Sequence, residues 1–229
     1  MKKLILIFIL VLSSNAWSDE SDLYDFLWLD PDKQVYVLQN KVYEKKGTFY
    51  FDVGLVKGMS NDFQDVIGFQ GRLGYFLKEE WAVEALFNKY SPSNNRTYDN
   101  LKALNNGEPF VRRILQSQAL LLVWSPFYGK INTFNKIFYF DWSFAIGPAL
   151  IKSESNVNTV ANVALSGVYE DESYTGAIFK TGLKFYINKR FHVGLEFMNT
   201  HYYAPGPQNT SKDILRADSD VLLSVGISF

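Results

Sequence analysis

Cysteine is absent from the sequence, and histidine occurs only twice. The lack of cysteine excludes disulfide bonds, cysteine metal sites and the attachment of a lipid to a cysteine. The two histidines, His192 and His201, are too far apart along one predicted strand to form a metal site. We therefore predict no metal site and no cofactor.

An excess of positive charge is absent as well. Lys and Arg together number 23 against 24 Asp and Glu, which gives a formal net charge of −1. Binding to nucleic acid usually requires a basic face, and this composition predicts none. We expect no nucleic-acid partner.

The sequence also lacks a hydrophobic run long enough for a transmembrane helix, which needs about 20 residues. The apolar run from Leu4 to Leu12 contains nine residues and follows the basic start Met1-Lys2-Lys3. Small residues then allow cleavage after Ala16 or after Ser18. This pattern predicts a signal peptide over 1–18. An exported chain without a second apolar segment is either soluble or crosses a membrane as strands.

Aromatic residues, by contrast, are abundant, at 17% of the chain. Such a content is expected where rings form belts at two membrane interfaces. The mean hydropathy of −0.10 argues against a helical membrane protein. It is compatible with a barrel, whose strands turn only every second residue towards lipid.

Apolar and polar residues alternate in eight segments of about ten residues, the pattern typical of transmembrane β-strands. The segments are 48–56, 67–75, 81–88, 116–124, 138–147, 179–187, 191–197 and 220–229. The fourth is the least regular, because Leu120 and Leu122 fall on the face expected to be polar. We predict an all-β fold, a closed antiparallel up-and-down barrel over 47–229, preceded by a periplasmic lead-in over 19–46.

The connections between these segments support the same layout. Short or medium links at 78–80, 125–136 and 188–190 alternate with longer ones at 57–65, 89–114, 152–174 and 203–217. Outer-membrane barrels have short periplasmic turns and long outer loops, so both termini are expected in the periplasm. A soluble β-sandwich or lipocalin-like barrel also alternates. The glycines and charges on the polar faces favour a narrow membrane-barrel lumen instead.

The inward-facing charges are the candidate functional residues. They are Asp52, Arg72, Glu84, Asp141, Lys180, Lys184, Glu196 and Asp220. Eight strands leave an interior just wide enough for side chains, and isolated buried charges are costly, so these charges must pair. They form either a salt-bridge plug, which we favour, or a gated ion path. His192 and Glu196 share this face, but the alternation predicts no serine beside His192, so no catalytic residue is predicted.

Two further groups of residues are predicted at the membrane boundary. Interface aromatics are expected at Trp81, Tyr128, Phe191, Tyr202 and Tyr203, the last two at the outer side. Val225, Ile227 and Phe229 form a strand with an aromatic last residue, which resembles the signal read by the barrel assembly machinery. The implied partners are that machinery during biogenesis and the lipid of the outer membrane.

Two stretches resemble a known family. The lead-in from Val35 to Gly47 and the stretch from Trp124 to Lys130 are similar to the opening and the mid-chain periplasmic turn of small outer-membrane β-barrel domain proteins. This family occurs as several paralogues in gliding and predatory bacteria. The resemblance covers about 33–229 and implies a barrel. It also implies a role in envelope-spanning motility complexes, with which some members are associated, and it transfers no catalytic residue.

These observations lead to an ordered set of functional hypotheses. The first is a structural, anchoring or interaction role in the envelope, with protein partners engaged through the outer loops or through residues 19–46. The second is a narrow channel for ions or small solutes. The third is a lipid-modifying outer-membrane enzyme.

Overall fold

The computed structural model describes residues 42–60, 62–105, 108–133, 136–157, 168–206 and 213–229. The predicted signal peptide over 1–18 lies outside the described residues. So does the predicted lead-in, apart from its last residues at 42–46. The predictions for those segments therefore stay predictions.

Eight antiparallel strands form one closed barrel in which each strand pairs with its neighbours in the chain, and β1 pairs with β8. The strands are β1 (Phe49–Gly58), β2 (Gln64–Phe76), β3 (Trp81–Asn94), β4 (Arg112–Thr133), β5 (Lys136–Ser155), β6 (Glu170–Tyr186), β7 (Phe191–Pro205) and β8 (Asp213–Ser228). The predicted closed, up-and-down, antiparallel barrel is thereby confirmed.

The two ends of the barrel differ. We call the end that holds Phe49 and Phe229 the terminal rim, where tight links at 77–80 and 187–190 join the strands. The opposite end, the distal rim, carries helix α1 (Arg96–Asn105) between β3 and β4. Asn95 caps this helix, since its side-chain oxygen accepts a hydrogen bond of 3.1 Å from the backbone N–H of Tyr98. In the part of the chain that the structure describes, no helix is long and apolar enough to cross a membrane.

The barrel is apolar outside and largely polar inside, the reverse of a soluble protein. Phe69 and Val225 point outwards and are 70% and 56% exposed, whereas Arg72 and Ser224 on the same strands are 2% exposed. This inversion follows from the period of two in a strand, which sends successive side chains to opposite faces. The structure thus has the organisation of an outer-membrane β-barrel.

Strand β4 departs from the prediction on one point. Leu120 and Leu122 lie on the outer face, 57% and 45% exposed, and the apolar residues that face inwards are Leu121 and Val123. The prediction that Leu120 and Leu122 occupy the polar face was wrong. Here the inner face is itself apolar, so alternation alone could not indicate which side was which.

The predicted link at 125–136 was also wrong, because β4 continues to Thr133. A register shift between Trp124 and Phe127 marks a β-bulge, where two residues of β4 stand opposite one residue of β5. Pro126 lies in this bulge, where the missing proline N–H does not interrupt the ladder. Beyond it, the ring of Phe127 packs on that of Trp142 at 5.7 Å and extends the β4–β5 hairpin.

The strands also reach further towards the distal rim than predicted. The predicted link at 152–174 contains the end of β5 and the start of β6, and the one at 89–114 contains the end of β3, helix α1 and the start of β4. Polar cross-strand contacts continue the ladder where the apolar alternation stops. One is the ion pair of 2.5 Å between Arg113 and Glu154.

Candidate functional site

The lumen nearer the terminal rim contains a compact group of ionisable side chains, which we call the lumen cluster. Its members come from five strands because each occupies an inward position of its own strand. They are Asp52 of β1, Arg72 of β2, Glu84 of β3, Lys180 and Lys184 of β6, and His192 and Glu196 of β7.

Arg72 is the centre of the lumen cluster. Its Nη2 lies 2.8 Å from Oδ2 of Asp52 and donates a hydrogen bond of 2.8 Å to Oγ of Ser224. Its Nη1 binds both carboxylate oxygens of Glu196 and lies 3.9 Å from Glu84. A guanidinium has five donors in a fixed plane and keeps its charge when buried. One arginine can therefore hold carboxylates from three different strands.

The two lysines balance the remaining charge. Lys180 forms an ion pair with Glu84 and lies 3.6 Å from Glu196. Lys184 lies 3.8 Å from Asp52, with its ammonium 3.9 Å from the centre of the Tyr50 ring. With His192 counted as neutral, three cations face three carboxylates. Such pairing is required where charges are removed from water.

Glycines make room for this arrangement by standing between bonded partners. Gly226 is the cross-strand neighbour of both Asp52 and His192, whose side chains meet across it at 2.5 Å. Gly74 stands in the same way between Tyr50 and Glu84, and the Tyr50 hydroxyl donates to Glu84 at 2.7 Å. A Cβ at either glycine would overlap these side chains. These two contacts therefore require glycine at positions 226 and 74.

Asp141 lies closer to the terminal rim and has its own partners. It accepts hydrogen bonds from Lys45 Nζ at 2.8 Å and from the Tyr186 hydroxyl at 2.5 Å. Lys45 is 4% exposed, although it precedes β1. Gly47, at a φ of +79°, turns the chain so that this lysine enters the lumen.

The residues next to Lys45 also pack against the terminal rim. The backbone N–H of Lys46 donates a hydrogen bond of 2.9 Å to Glu79, and the ring of Tyr43 stacks on Tyr186 at 5.1 Å. The sequence reasoning missed Lys45 because the residue lies outside the alternating segments. The sequence offered one sign of its role, namely that Lys45 lies two residues before Gly47, just ahead of the first predicted strand.

Asp220 is separated from the lumen cluster and lies nearer the distal rim. Its Oδ2 accepts a hydrogen bond of 2.8 Å from the Tyr90 hydroxyl. Within the described ranges, no lysine or arginine lies within ion-pairing distance of it. Of the eight predicted lumen residues, the structure brings six together, Arg72 and five others. Asp141 lies in a separate group towards the terminal rim, and Asp220 lies in another towards the distal rim.

His192 links the lumen cluster to the last strand. Its Nε2 contacts Asp52 at 2.5 Å, and its Nδ1 lies 3.4 Å from Oγ of Ser228. The prediction that no serine lies beside His192 was wrong, because β7 and β8 pair directly and bring the two side chains together across the ladder. These three residue types also form catalytic triads. Here the serine is beyond the usual distance of 2.6–3.2 Å, and Arg72 binds the carboxylate.

Very little space remains in this part of the lumen. The cavity between the lumen cluster and Asp141 has a volume of about 10 Å³ and is lined by Tyr50, Glu84 and Lys180 among others. A single water requires roughly 10–15 Å³. Among the residues that the structure describes, no group of His, Cys, Asp and Glu is arranged to hold a metal ion. Among the described residues, this part of the lumen is a closely packed charge network.

Three of the five predicted interface aromatics lie on the outer face. Trp81, Phe191 and Tyr203 are 38%, 50% and 62% exposed. Tyr202 is 2% exposed and faces inwards, because it shares the face of His192 on β7. Tyr128 stacks on Tyr139 at 5.8 Å, and its hydroxyl accepts a hydrogen bond from the N–H of Val42.

The predictions for Tyr202 and Tyr128 were therefore wrong. Tyr202 faces inwards because side chains alternate along β7 and it lies an even number of residues after His192. Tyr128 faces inwards because the bulge at Trp124–Phe127 exchanges the two faces of β4. The residues predicted as an assembly signal lie on β8 or directly after it. Val225 and Phe229 are exposed, and Ile227 is half-buried.

The distal rim carries a second polar group, formed around Arg112. Its guanidinium binds Glu172 at 2.6 and 3.1 Å and donates to the backbone oxygen of Pro205 at 2.7 Å. Burial alone would raise the pKa of Glu172. Hydrogen bonds from Arg112 and Ser155 outweigh it and hold the pKa of that carboxyl below its usual value. A cleft of about 280 Å³ opens beside Arg112, lined by Gln64, Phe110 and Arg216 among others.

No protein-family model and no curated protein matches the sequence. Among solved structures, the chain is similar to the N-terminal β-barrel domain of OprF from Pseudomonas aeruginosa. The TM-score is 0.50 at 14% identity, over 80% of this chain and 98% of that chain. OprG from the same organism has a TM-score of 0.49 at 14% identity, over 82% and 98% of the two chains. Ail from Yersinia pestis has 0.40 at 15%, over 80% and 99%. At these identities, the likeness to OprF shows the fold alone, that of an outer-membrane β-barrel.

Proposed function

We propose that the protein is a sealed outer-membrane barrel with an anchoring or interaction role in the cell envelope, and that it neither conducts solutes nor catalyses a reaction. The packed lumen cluster is the observation that carries this proposal. An eight-stranded barrel has room inside only for side chains, and here those side chains bind one another. What remains available for function is the outer wall, the two rims and any segment attached to them.

The asymmetry of the rims supports an orientation with both termini in the periplasm. The terminal rim has tight links, whereas the distal rim carries α1 and the long ends of the strands. Outer-membrane barrels have their short turns on the periplasmic side. In this orientation α1 faces the exterior, and residues 42–46 lie at the periplasmic rim, where they can engage an envelope-spanning complex of the kind that the family resemblance implies.

A catalytic role is not supported by the arrangement of Asp52, His192 and Ser228. The Asp52 carboxylate already neutralises Arg72, so it is poorly placed to stabilise a protonated His192 during catalysis. We assign this chain of contacts to the closure of β7 and β8 against β1.

The purified barrel, refolded and inserted into planar lipid bilayers, is expected to give no steady current, because the lumen cluster fills the path. Single-channel recording measures this directly, with a general porin in the same bilayer as the positive control. A steady unitary current that disappears in Glu84→Gln would contradict the sealed lumen and would favour a channel gated by the same charges.

Site-specific photocrosslinking in intact envelopes tests the interaction role. A photoreactive residue at Leu104 of α1, which is 82% exposed, or at Val42 before β1, which is 44% exposed, is expected to give protein adducts. The matched control is Phe69 on the outer wall, 70% exposed, where only lipid adducts are expected. Absence of protein adducts at both Leu104 and Val42 would contradict partner binding through the rims.

A further inference from the structure

Two lysines lie side by side on the outer wall near the distal rim. Lys89 of β3 and Lys152 of β5 are both cross-strand neighbours of Gln116 on β4, and both are exposed. Adjacent strands are about 4.8 Å apart, so the two lysines start roughly 10 Å apart, and their long side chains can converge above Gln116. Neither forms an ion pair with a carboxylate of the described residues. Each of the two ammonium groups is therefore available to an external anion.

An apolar groove begins directly beside these lysines on the same strands. The outward positions that precede Lys89 are Phe87 and Ala85, and those that precede Lys152 are Leu150 and Pro148. With neighbouring outward residues they line a groove of about 840 Å³ on the barrel wall. This volume lies within the range of roughly 300–1,000 Å³ typical of small-molecule sites.

Small residues keep the groove open. Gly71 of β2 contributes no side chain, and a Cβ built there would have no heavy atom within 4 Å. Its neighbour across the ladder is Phe87, and the next outward pair is Leu73 with Ala85. The result is a trough between larger apolar side chains, at a depth where the barrel contacts hydrocarbon.

Gln118 and Thr175 are exposed polar residues on the lining of this groove. Gln118 is the next outward residue after Gln116 on β4, and it is exposed on the lipid-facing wall. A polar group that faces lipid is costly unless it finds a partner. A lipid supplies such a partner at the ester groups that join its head to its acyl chains. The order along the wall is thus two cations, two amides and an apolar trough.

We propose that this surface binds a phosphorylated lipid of the outer leaflet, with the phosphate between Lys89 and Lys152 and an acyl chain in the groove. The charge on the lysines matches a phosphate, and the amide of Gln116 can donate to it. Gln118 donates to an ester oxygen. The inference rests on the proposed orientation, in which the distal rim lies in the outer leaflet, where phosphorylated glycolipids occur.

Binding of purified lipid A to the refolded full-length barrel in zwitterionic detergent micelles tests the site, with native mass spectrometry as the readout. The double variant Lys89→Gln/Lys152→Gln is expected to bind at least about tenfold more weakly than the wild type, since two charged hydrogen bonds are lost. Gly71→Leu, which fills the trough, is expected to weaken binding similarly. Lys57→Gln is the matched control, because Lys57 is exposed on the outer wall but lies 3.7 Å from Asp65.

The outcomes separate the sources of the signal. Equal binding by the wild type and the double variant, or an equal loss in Lys57→Gln, would overturn the proposal. Displacement of lipid A by inorganic phosphate at similar concentration would show that the groove does not contribute to binding, and would overturn the placement of an acyl chain there. Heat-modifiable gel migration confirms that each variant is folded, and Gly71→Ala provides a smaller change if Gly71→Leu does not fold. A conducting wild-type barrel would disprove the sealed lumen without altering this result.

Discussion

Replacing Arg72 with methionine is expected to destabilise the barrel by about 3–5 kcal/mol, because the change leaves buried carboxylates without their shared cation. Asp52 and Glu196 lose an ion pair each, and Ser224 loses its donor. Methionine has a similar length but no charge, so the loss comes mainly from electrostatics. Urea titration of the refolded protein, followed by heat-modifiable migration, measures the change in the free energy of unfolding.

The matched control for Arg72→Met is Lys57→Gln on the outer wall. Lys57 pairs with Asp65 at 3.7 Å, but both side chains are about half or more exposed. An exposed pair of this kind contributes less than about 1 kcal/mol. The triple variant Arg72→Met/Asp52→Asn/Glu196→Gln is expected to regain part of the stability, since it removes the orphaned charges. Equal stability of Arg72→Met and the wild type would show that water or other cations compensate inside the lumen.

The architecture was predictable because alternation is a local property of each strand. Every strand segment inferred from the sequence lies within or overlaps an observed strand, and the inward sets follow directly from parity. The prediction failed where parity changes or carries no contrast, and at Tyr202, which follows the parity of β7 but lies beyond the predicted segment 191–197. The bulge after Trp124 moved Tyr128 to the inner side, and the apolar inner face of β4 concealed its direction.

The partners within the lumen were not predictable in the same way. Parity shows that Arg72 and Glu196 both face inwards, but their contact spans the barrel between β2 and β7. Which inward residues meet depends on the shear of the closed sheet, a property of all eight registers together. The partner of Asp141 was unpredictable for a different reason. It is Lys45, which lies outside the sheet and therefore has no strand parity.

The glycine positions in the sequence indicate the contacts of the lumen cluster more directly than the charged residues do. Two of the contacts that close the lumen, Asp52 with His192 and Tyr50 with Glu84, each pass over a glycine on the strand between them. At these two positions the side chains meet directly across the intervening strand because its glycine has no side chain. A polar face rich in glycine therefore indicates a lumen crossed by side-chain bonds, and these positions should tolerate substitution least.

Gly226→Ala is expected to destabilise the barrel by about 1–3 kcal/mol or more, as overpacking does in closely packed interiors. The new methyl group would overlap Asp52 and His192, the two residues that meet across Gly226. Asp52 cannot move aside freely, because Arg72 binds it at 2.8 Å. Relief requires either the loss of the Asp52–His192 contact or a shift of β8 between β1 and β7, the seam that closes the barrel.

Gly71→Ala is the control that separates this crowding from the general effect of replacing glycine in a strand. It lies in the same sheet, but its Cβ position is open. An alanine there restricts the unfolded chain and is expected to change the stability by no more than about 0.5–1 kcal/mol, in the favourable direction. Urea titrations of both variants give the comparison. If Gly226→Ala is as stable as Gly71→Ala, Asp52 and His192 do not meet across β8, and the lumen is looser than a plug requires.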